Sequence, residues 1–215
     1  MVSSYFTTFN SRGADNQTEF DRQEAKIVAA ICELDADILG LVEIENNGFG
    51  PASALQTLLD AIQASCGIDY DFVINPNTGG DDIQVALIYK VAVVEESGTA
   101  ANLTVAAGQF GSNRIPLTQT FRVIEPGNMN LGQQVTVCVN HWKSKGGNCP
   151  GDADAAAGTA CFNGTRVAAA TTILDWLTND DPTGTGVTDQ LVIGDLNAYS
   201  AEAPITTFTD AGWSN

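Results

Sequence analysis

The stretch QLVIGDLNAYS, residues 190–200, holds the pattern on which a prediction of the fold can be built. Its apolar run, residues 191–193, predicts a buried β-strand that ends in Gly194, Asp195 and Asn197. Residues two apart in a strand point to the same side. If the strand continues that far, the carboxylate of Asp195 and the amide of Asn197 face the same neighbouring group.

Two further apolar runs end in the same kind of side chain. LGLVE ends in Glu43, and VTVCVNH ends in Asn140 and His141, which is the only histidine of the chain. Each residue alone is typical of a solvated turn. An acid, an amide–histidine pair and a Gly-Asp-x-Asn motif that each close a buried strand together indicate one site built from strand ends.

Hydrophobic periodicity and turn signals predict the remaining elements. We expect helices within residues 18–37, 52–66, 165–179 and 203–212. We expect strands within residues 37–47, 70–74, 83–90, 92–98, 113–124, 134–144 and 190–198. Thr18 and Asp21 are the expected caps of the first helix. The chain shows no repeat and no linker, so residues 1–215 are predicted to form one α+β domain of packed sheets flanked by helices.

The charge balance is strongly acidic, with 26 Asp and Glu residues against 9 Lys and Arg residues and a formal charge of −17. This argues against a broad basic footprint for nucleic acid, but allows a small basic patch or a bound divalent cation. Solubility in a salty environment is the plainer explanation. No run approaches the about 18 apolar residues of a membrane span, so no membrane partner is expected. No signal peptide is visible at the start.

The five cysteines predict two disulfides and one buried thiol. Cys149 and Cys161 bracket a loop rich in glycine, aspartate and alanine, and Cys32 and Cys66 lie near the ends of two predicted helices. Cys138 lies inside an apolar strand and is expected to be free. Disulfides indicate an oxidising compartment and hence a secreted protein. The absence of Cys-x-x-Cys spacing argues against a zinc site.

Several stretches together resemble the endonuclease/exonuclease/phosphatase superfamily of the pancreatic deoxyribonuclease type, and within it the secreted bacterial extracellular nucleases. These stretches are RGADNQTEFDRQEAKIVAAI, LDADILGLVEIENN, DDIQVALIYK, NRIPLTQTF, VNHWKSKGGNC and LVIGDLNAYSAEAPI. They follow the family order over nearly the whole chain. The resemblance implies a four-layer α/β/β/α sandwich, with the site where strand ends of the two sheets meet.

The resemblance also implies roles for the residues that close the strands. Glu43 matches the acid that binds a divalent metal, expected to be Mg²⁺, with Mn²⁺ or Ca²⁺ as alternatives. His141 matches the histidine beside the scissile phosphate. Asp195 matches the carboxylate that orients or deprotonates the attacking water, and Asn197 the amide that holds the phosphate or the nucleophile.

Further residues are expected around this centre. Arg114, in NRIP, matches an arginine that contacts substrate phosphate, and Asn140 and Lys143 are expected to contact it too. Asp81, in GDDIQV, matches an acid that does not touch the substrate but supports the residues that do. Lys143 and Lys145 are expected beside the site, although a solvated loop explains this lysine pair equally well.

The sequence departs from the family pattern at both ends. Family members begin with a strand whose first asparagine helps to bind metal; Met1 stands in its place, and Ser4 stands in the place of a second asparagine. A late Asp-His element of the family is not present. The sandwich is therefore expected to be incomplete at both termini. A homo-oligomer or strand exchange would complete it, and the alternatives are a fragment or a shortened member of the family.

Three functions follow as hypotheses. The first is a secreted, metal-dependent nuclease that hydrolyses DNA or RNA with a metal-bound phosphate and an Asp195-oriented water. The second is another phosphoesterase of the superfamily, acting on a phospholipid headgroup or a phosphorylated small molecule. The third is a catalytically inactive binding or structural module.

Overall fold

The computed structural model describes residues 4–103, 114–147, 149, 158 and 160–215. Within them lie four helices: α1 Gln17–Leu34, α2 Ala54–Cys66, α3 Asn163–Asn179 and α4 Ala203–Asp210. The strands are β1 Ile38–Glu45, β2 Tyr70–Phe72, β3 Ile83–Lys90, β4 Val94–Asn102, β5 Leu117–Val123, β6 Gln134–His141 and β7 Gln190–Asp195. All the predicted helices and strands are present.

The cap of α1 differs from the prediction. The side chain of Asn16 accepts a hydrogen bond from the backbone N–H of Glu19, and α1 begins directly after it. Thr18 and Asp21 therefore lie inside the helix. Asn16 satisfies one of the N–H groups that a helix leaves unpaired at its start, which fixes the first turn.

The strands form two sheets. Sheet A has the order β1–β3–β2 and is antiparallel throughout. Sheet B has the order β4–β5–β6–β7, in which only β6 and β7 run parallel. Parallel strands end at the same edge of a sheet, so β6 and β7 bring their carboxyl ends together.

Strand β3 shows how the layers are stacked, because it is buried on both faces. Ala86 and Ile88 pack into the core formed with α1 and α2, whereas Val85 and Leu87 pack into the core between the two sheets. A third core lies between sheet B and helices α3 and α4, and includes Cys138 of β6. The order is thus helices, sheet A, sheet B, helices, which is the predicted four-layer sandwich.

The outer strands β1 and β7 lie on the same side of the sandwich. Gly40 of β1 packs directly on Ile193 of β7: a Cβ at residue 40 would lie 2.6 Å from Ile193 Cδ1. The segment before α1 pairs with the edge of β1. The backbone N–H of Tyr5 donates to the carbonyl of Glu43, and the backbone N–H of Glu45 donates to the carbonyl of Tyr5. Met1 lies outside the described residues. Completion of the sandwich by strand exchange or a second copy stays a prediction.

Both predicted disulfides are present. Cys32–Cys66 joins α1 to the end of α2, and Cys149 is bonded to Cys161 just before α3. Of the loop enclosed by the second pair, residues 150–157 and 159 lie outside the described residues. Cys138 is free and buried, as predicted. None of the helices in the described ranges is both long enough and apolar enough to cross a lipid bilayer.

Candidate active site

Four polar side chains from both sheets converge at one end of the sandwich. Nε2 of His141 lies 3.5 Å from Glu43 Oε1 and 3.9 Å from Asp195 Oδ2. The guanidinium Nη2 of Arg114 lies 2.8 Å from that same ring nitrogen and 3.6 Å from Glu43 Oε1. The structure thus brings Glu43, Arg114, His141 and Asp195 together, although they are far apart in the sequence.

Strand pairing places two of these residues. In the parallel pair β6–β7, His141 is the register partner of Asp195, so the two strands deliver their last residues side by side. Gly194 makes this close approach possible. A Cβ at that position would lie 2.0 Å from the carbonyl oxygen of Asn140, and the backbone φ of +114° is one that residues with a side chain rarely adopt.

A β-bulge places Glu43. The register of β1 against β3 shifts between Leu41 and Ile44, and Glu43 has φ +63°. Bulges re-aim side chains at sheet edges and next to functional sites. The bulge turns the carboxylate of Glu43 toward Arg114 and His141, where its other oxygen accepts a hydrogen bond from the hydroxyl of Ser4.

Asp195 and Asn197 come together by a turn and not by strand alternation. Strand β7 ends at Asp195, and Asn197 has φ +48°, so the condition that the strand continues to Asn197 is not met. The backbone N–H of Asn197 donates to Asp195 Oδ1 at 2.9 Å, and its side-chain Nδ2 donates to the carbonyl of Trp142 at 3.0 Å. These bonds fix the Asp195 carboxylate and leave Oδ2 directed at His141.

The surroundings of His141 keep its ring neutral. Only 3% of the residue is exposed, and burial first, then the charge of Arg114, hold the pKa of His141 below its usual value; the carboxylates of Glu43, Asp195 and Asp81 oppose this shift. Nε2 therefore accepts the hydrogen bond from Arg114, and the ring proton sits on Nδ1. Among the described residues, none accepts from that buried nitrogen.

Asp81 lies at the rim of the site in a charged pair. Its carboxylate is 3.0 Å from Nη1 of Arg12, whose Nε lies 3.4 Å from Asp82. Burial lowers the pKa of Arg114, and the negative charge of Asp81 opposes this shift. Sequence reasoning assigned no role to Arg12; its position inside the stretch RGADNQTEF was the only available signal.

The prediction that Asn140 contacts the substrate phosphate is wrong. The residue is completely buried, its Oδ1 accepts from Trp142 Nε1 at 3.1 Å, and its Nδ2 donates to the carbonyl of Cys138 at 3.0 Å. Successive residues of a strand face opposite sides, so Asn140 points toward α3 and α4 when His141 points into the site. Its amide holds Trp142 in place.

The two lysines of the loop after β6 separate. Lys143 Nζ lies over the ring of Phe162, 4.9 Å from its centroid, whereas Lys145 lines a cavity next to Asp195 and Asn197. The loop itself is held by Arg166 of α3, which is completely buried and donates to the carbonyls of Lys143 and Cys161. The structure therefore places Lys145 beside Asp195 and Asn197, and the expected phosphate contact of Lys143 stays a prediction.

The partly exposed donor atoms of the site that could hold a metal are carboxylate and hydroxyl oxygens. Within the described ranges, no group of three or more His, Cys, Asp and Glu side chains could enclose an ion. Mg²⁺ needs less, because it keeps several waters and binds through one or two carboxylates and the substrate phosphate. The partly exposed carboxylate of Glu43, with the Ser4 hydroxyl against it, offers oxygen donors of this type.

No protein-family model matches the chain, and no curated protein matches it either. Solved structures do share its fold. The human Nocturnin catalytic domain with bound sulfate matches with a TM-score of 0.59 and 18% identity, over 91% of this chain and 64% of that domain. An endonuclease/exonuclease/phosphatase family protein from Bacteroides thetaiotaomicron matches with a TM-score of 0.59 and 16% identity, over 95% of this chain and 67% of that protein.

A mannosyl-6-phosphatase from the same bacterium matches with a TM-score of 0.54 and 15% identity, over 95% of this chain and 69% of the enzyme. At these identities the likeness concerns the fold. The chain spans 64% of the length of the Nocturnin domain.

Proposed function

The chain has the fold of the endonuclease/exonuclease/phosphatase superfamily, and from this fold we propose that it is a divalent-metal-dependent phosphodiesterase that hydrolyses nucleic acid. The observation that carries the proposal is the cluster of Glu43, Arg114, His141 and Asp195 within 4 Å of one ring nitrogen or of each other. It combines two carboxylates, a guanidinium and a neutral imidazole, groups that can orient a water and stabilise charge on a phosphodiester.

The guanidinium groups provide the binding of the phosphate. Arg114 is mostly buried beside His141, and Arg12 lies more exposed at the rim. Arginine donates to phosphate oxygens through several N–H groups in a fixed plane. The two arginines place two of the nine basic residues at the site of an otherwise acidic chain, which supports local capture of a polyanion.

Asp195 is the base that orients the attacking water. Its Oδ1 is held by the N–H of Asn197, so the carboxylate cannot rotate freely, and its Oδ2 remains to accept a proton from water. One N–H of the Asn197 side chain is held by the carbonyl of Trp142. Its Oδ1 can then accept a hydrogen bond from the same water, which assigns Asn197 to the nucleophile.

His141 acts on the phosphate after Arg114 turns to the substrate. In the free chain Nε2 accepts from Arg114. When a phosphate oxygen takes that N–H, the neutral ring can carry its proton on Nε2 instead and donate it to the phosphate. This tautomer change lets His141 stabilise charge that grows on the phosphate oxygens in the transition state.

Glu43 would hold Mg²⁺, or Mn²⁺ or Ca²⁺ in its place, and the bound ion would neutralise charge on the phosphate. The finer assignment to an extracellular nuclease rests on the two disulfides, which are stable in oxidising compartments. The mannosyl-6-phosphatase with the same fold keeps a second function open, hydrolysis of a phosphorylated small molecule.

The test is a nicking assay on supercoiled plasmid DNA and on a labelled single-stranded RNA, with Mg²⁺ or Mn²⁺. We expect cleavage that EDTA abolishes and that His141→Ala reduces about 10²- to 10⁴-fold, the usual contribution of an acid–base side chain. Arg122→Met, in an exposed ion pair on β5 remote from the cluster, is the matched control and should keep full activity.

Three other outcomes would contradict the proposal. Equal activity of His141→Ala would point to a contaminating nuclease. Hydrolysis of mannose 6-phosphate without cleavage of nucleic acid would assign a phosphatase. No hydrolysis of either substrate class at high enzyme concentration would assign an inactive binding module.

A further inference from the structure

We propose that Tyr199 is a stacking platform for the nucleobase next to the scissile phosphate, with its ring held in place by Lys145 and Glu202. This inference rests on the proposed phosphodiesterase function. It narrows the substrate to phosphodiesters that carry an aromatic base, and it assigns a role to the part of the motif GDLNAYS that the catalytic residues do not explain.

Tyr199 lines a cavity next to the proposed catalytic residues. A cavity of about 380 Å³ opens beside Asp195 and Asn197, and Lys145 and Tyr199 form part of its lining. Its size lies in the range of about 300–1,000 Å³ that small-molecule sites occupy. Asp195, whose carboxylate is proposed to orient the attacking water, is itself one of the residues that line this cavity.

The ring of Tyr199 has one face available for a ligand. Tyr199 is 73% exposed. Nζ of Lys145 lies over its ring, 3.6 Å from the centroid. Because the ammonium group covers one face while most of the residue remains exposed, the opposite face is open to solvent. A planar base needs one such open face in order to stack.

The bonds around the ring separate this tyrosine from an ordinary exposed aromatic residue. Glu202 Oε1 accepts from Lys145 Nζ at 2.6 Å, and its Oε2 accepts from the backbone N–H of Tyr199 at 3.0 Å. The Lys145 bond lowers the pKa of Glu202, so this carboxylate stays ionised at neutral pH. The three residues form a closed set that fixes the ring before any ligand arrives, which reduces the entropy cost of binding.

The same set explains why the ligand is recognised by its ring and not by charge. The ammonium of Lys145 is already neutralised by Glu202. The phosphate would be held by Arg114 and Arg12 instead, neither of which lines the cavity. The cavity is left to bind a neutral, flat group attached to that phosphate. Stacking of this kind is tolerant of base identity, so we expect little sequence preference.

The test compares two fluorescein-labelled single-stranded decamers of equal charge, one of thymidine and one of abasic tetrahydrofuran residues. Affinity is measured by fluorescence anisotropy with EDTA present, so that no strand is cleaved. We expect Tyr199→Ala to weaken binding of the thymidine decamer about 5- to 150-fold, the range found for loss of one stacked base, and to leave the abasic decamer unchanged. Tyr199→Phe, which keeps the ring, should bind as the wild type does.

Met129→Ala is the matched control, since Met129 is completely exposed on the turn between β5 and β6. Equal affinity of the wild type and Tyr199→Ala for thymidine would overturn the inference. An equal loss for both decamers would also overturn it, by showing that the ring packs on the sugar or the backbone. Because binding is measured without cleavage, this result stands apart from the nicking assay, which alone decides the phosphodiesterase function.

Discussion

Two residues of the candidate site adopt backbone conformations that side chains disfavour. Glu43 has φ +63° and Asn197 has φ +48°. Conformations of this kind cost about 1–3 kcal/mol each and persist where the surrounding structure enforces them, often at functional sites. Here the bonds of Ser4 to Glu43 and of Trp142 to Asn197 hold them.

The contact between Arg114 and His141 predicts the titration of the ring. His141 is the only histidine, so one Cε1–H signal in the proton NMR spectrum reports it. Burial and the Arg114 charge disfavour the protonated ring, so in buffer with EDTA its midpoint should lie below 6.5. Arg114→Met removes the charge and should raise the midpoint.

Arg122→Met removes a distant guanidinium in the same way and should leave the midpoint unchanged. A wild-type midpoint at or above 6.5, or a midpoint that Arg114→Met does not raise, would contradict the hydrogen bond from Arg114 to Nε2.

At the scale of elements, the parallel pair β6–β7 builds the site. It sets His141 beside Asp195, and the Asp195 carbonyl accepts from the backbone N–H of Trp142. The pairing depends on Gly194, where the backbone of β7 comes so close to Asn140 that no side chain fits. The glycine of the motif GDLN is therefore a packing requirement of the strand pair.

Gly194→Ala should destabilise the fold by about 2 kcal/mol or more, because the methyl group meets backbone and φ is positive. Gly67→Ala is the matched control. Gly67 caps α2 with φ +72° but has open space around it, so the loss should be about 1 kcal/mol. Urea unfolding of both variants measures the difference, and equal losses would show that β7 does not approach Asn140 this closely.

At the scale of the whole molecule, covalent links and burial complete the sandwich. Cys32–Cys66 ties the two helices on sheet A, and a native disulfide of this kind contributes about 2–4 kcal/mol. Cys138 lies in the core between sheet B and α3, where burial raises the pKa of its thiol to about 11. The thiol is therefore both shielded and protonated at neutral pH.

A thiol count tests this arrangement. At pH 8 the native chain should not react with Ellman's reagent, because the raised pKa leaves Cys138 almost without thiolate and the core excludes the reagent. The unfolded chain should show one thiol without reductant and five after reduction. Cys138→Ser should show none before reduction. Three or more thiols in the unreduced chain would mean that a disulfide is missing.

The sequence by itself determined the local features of this protein. Its hydrophobic periodicity predicted the helices and strands, and the cysteine positions indicated both disulfides. The polar residues at its strand ends indicated Glu43, His141 and Asp195 as candidate site residues. Such features can be predicted from the sequence because they depend on residues only a few positions apart along the chain. The resemblance to a known superfamily added the order of the layers.

Only the tertiary structure decided which side chains meet. Asn140 and His141 are adjacent in the sequence, yet strand alternation sends one into the core and the other into the site. The hydrogen bonds of Ser4 to Glu43 and of Arg114 to His141 join residues 39 and 27 positions apart. The contact of Lys145 with the Tyr199 ring joins residues even farther apart, 54 positions along the chain. Contacts of this length depend on how sheets pack and strands pair, which no local pattern encodes.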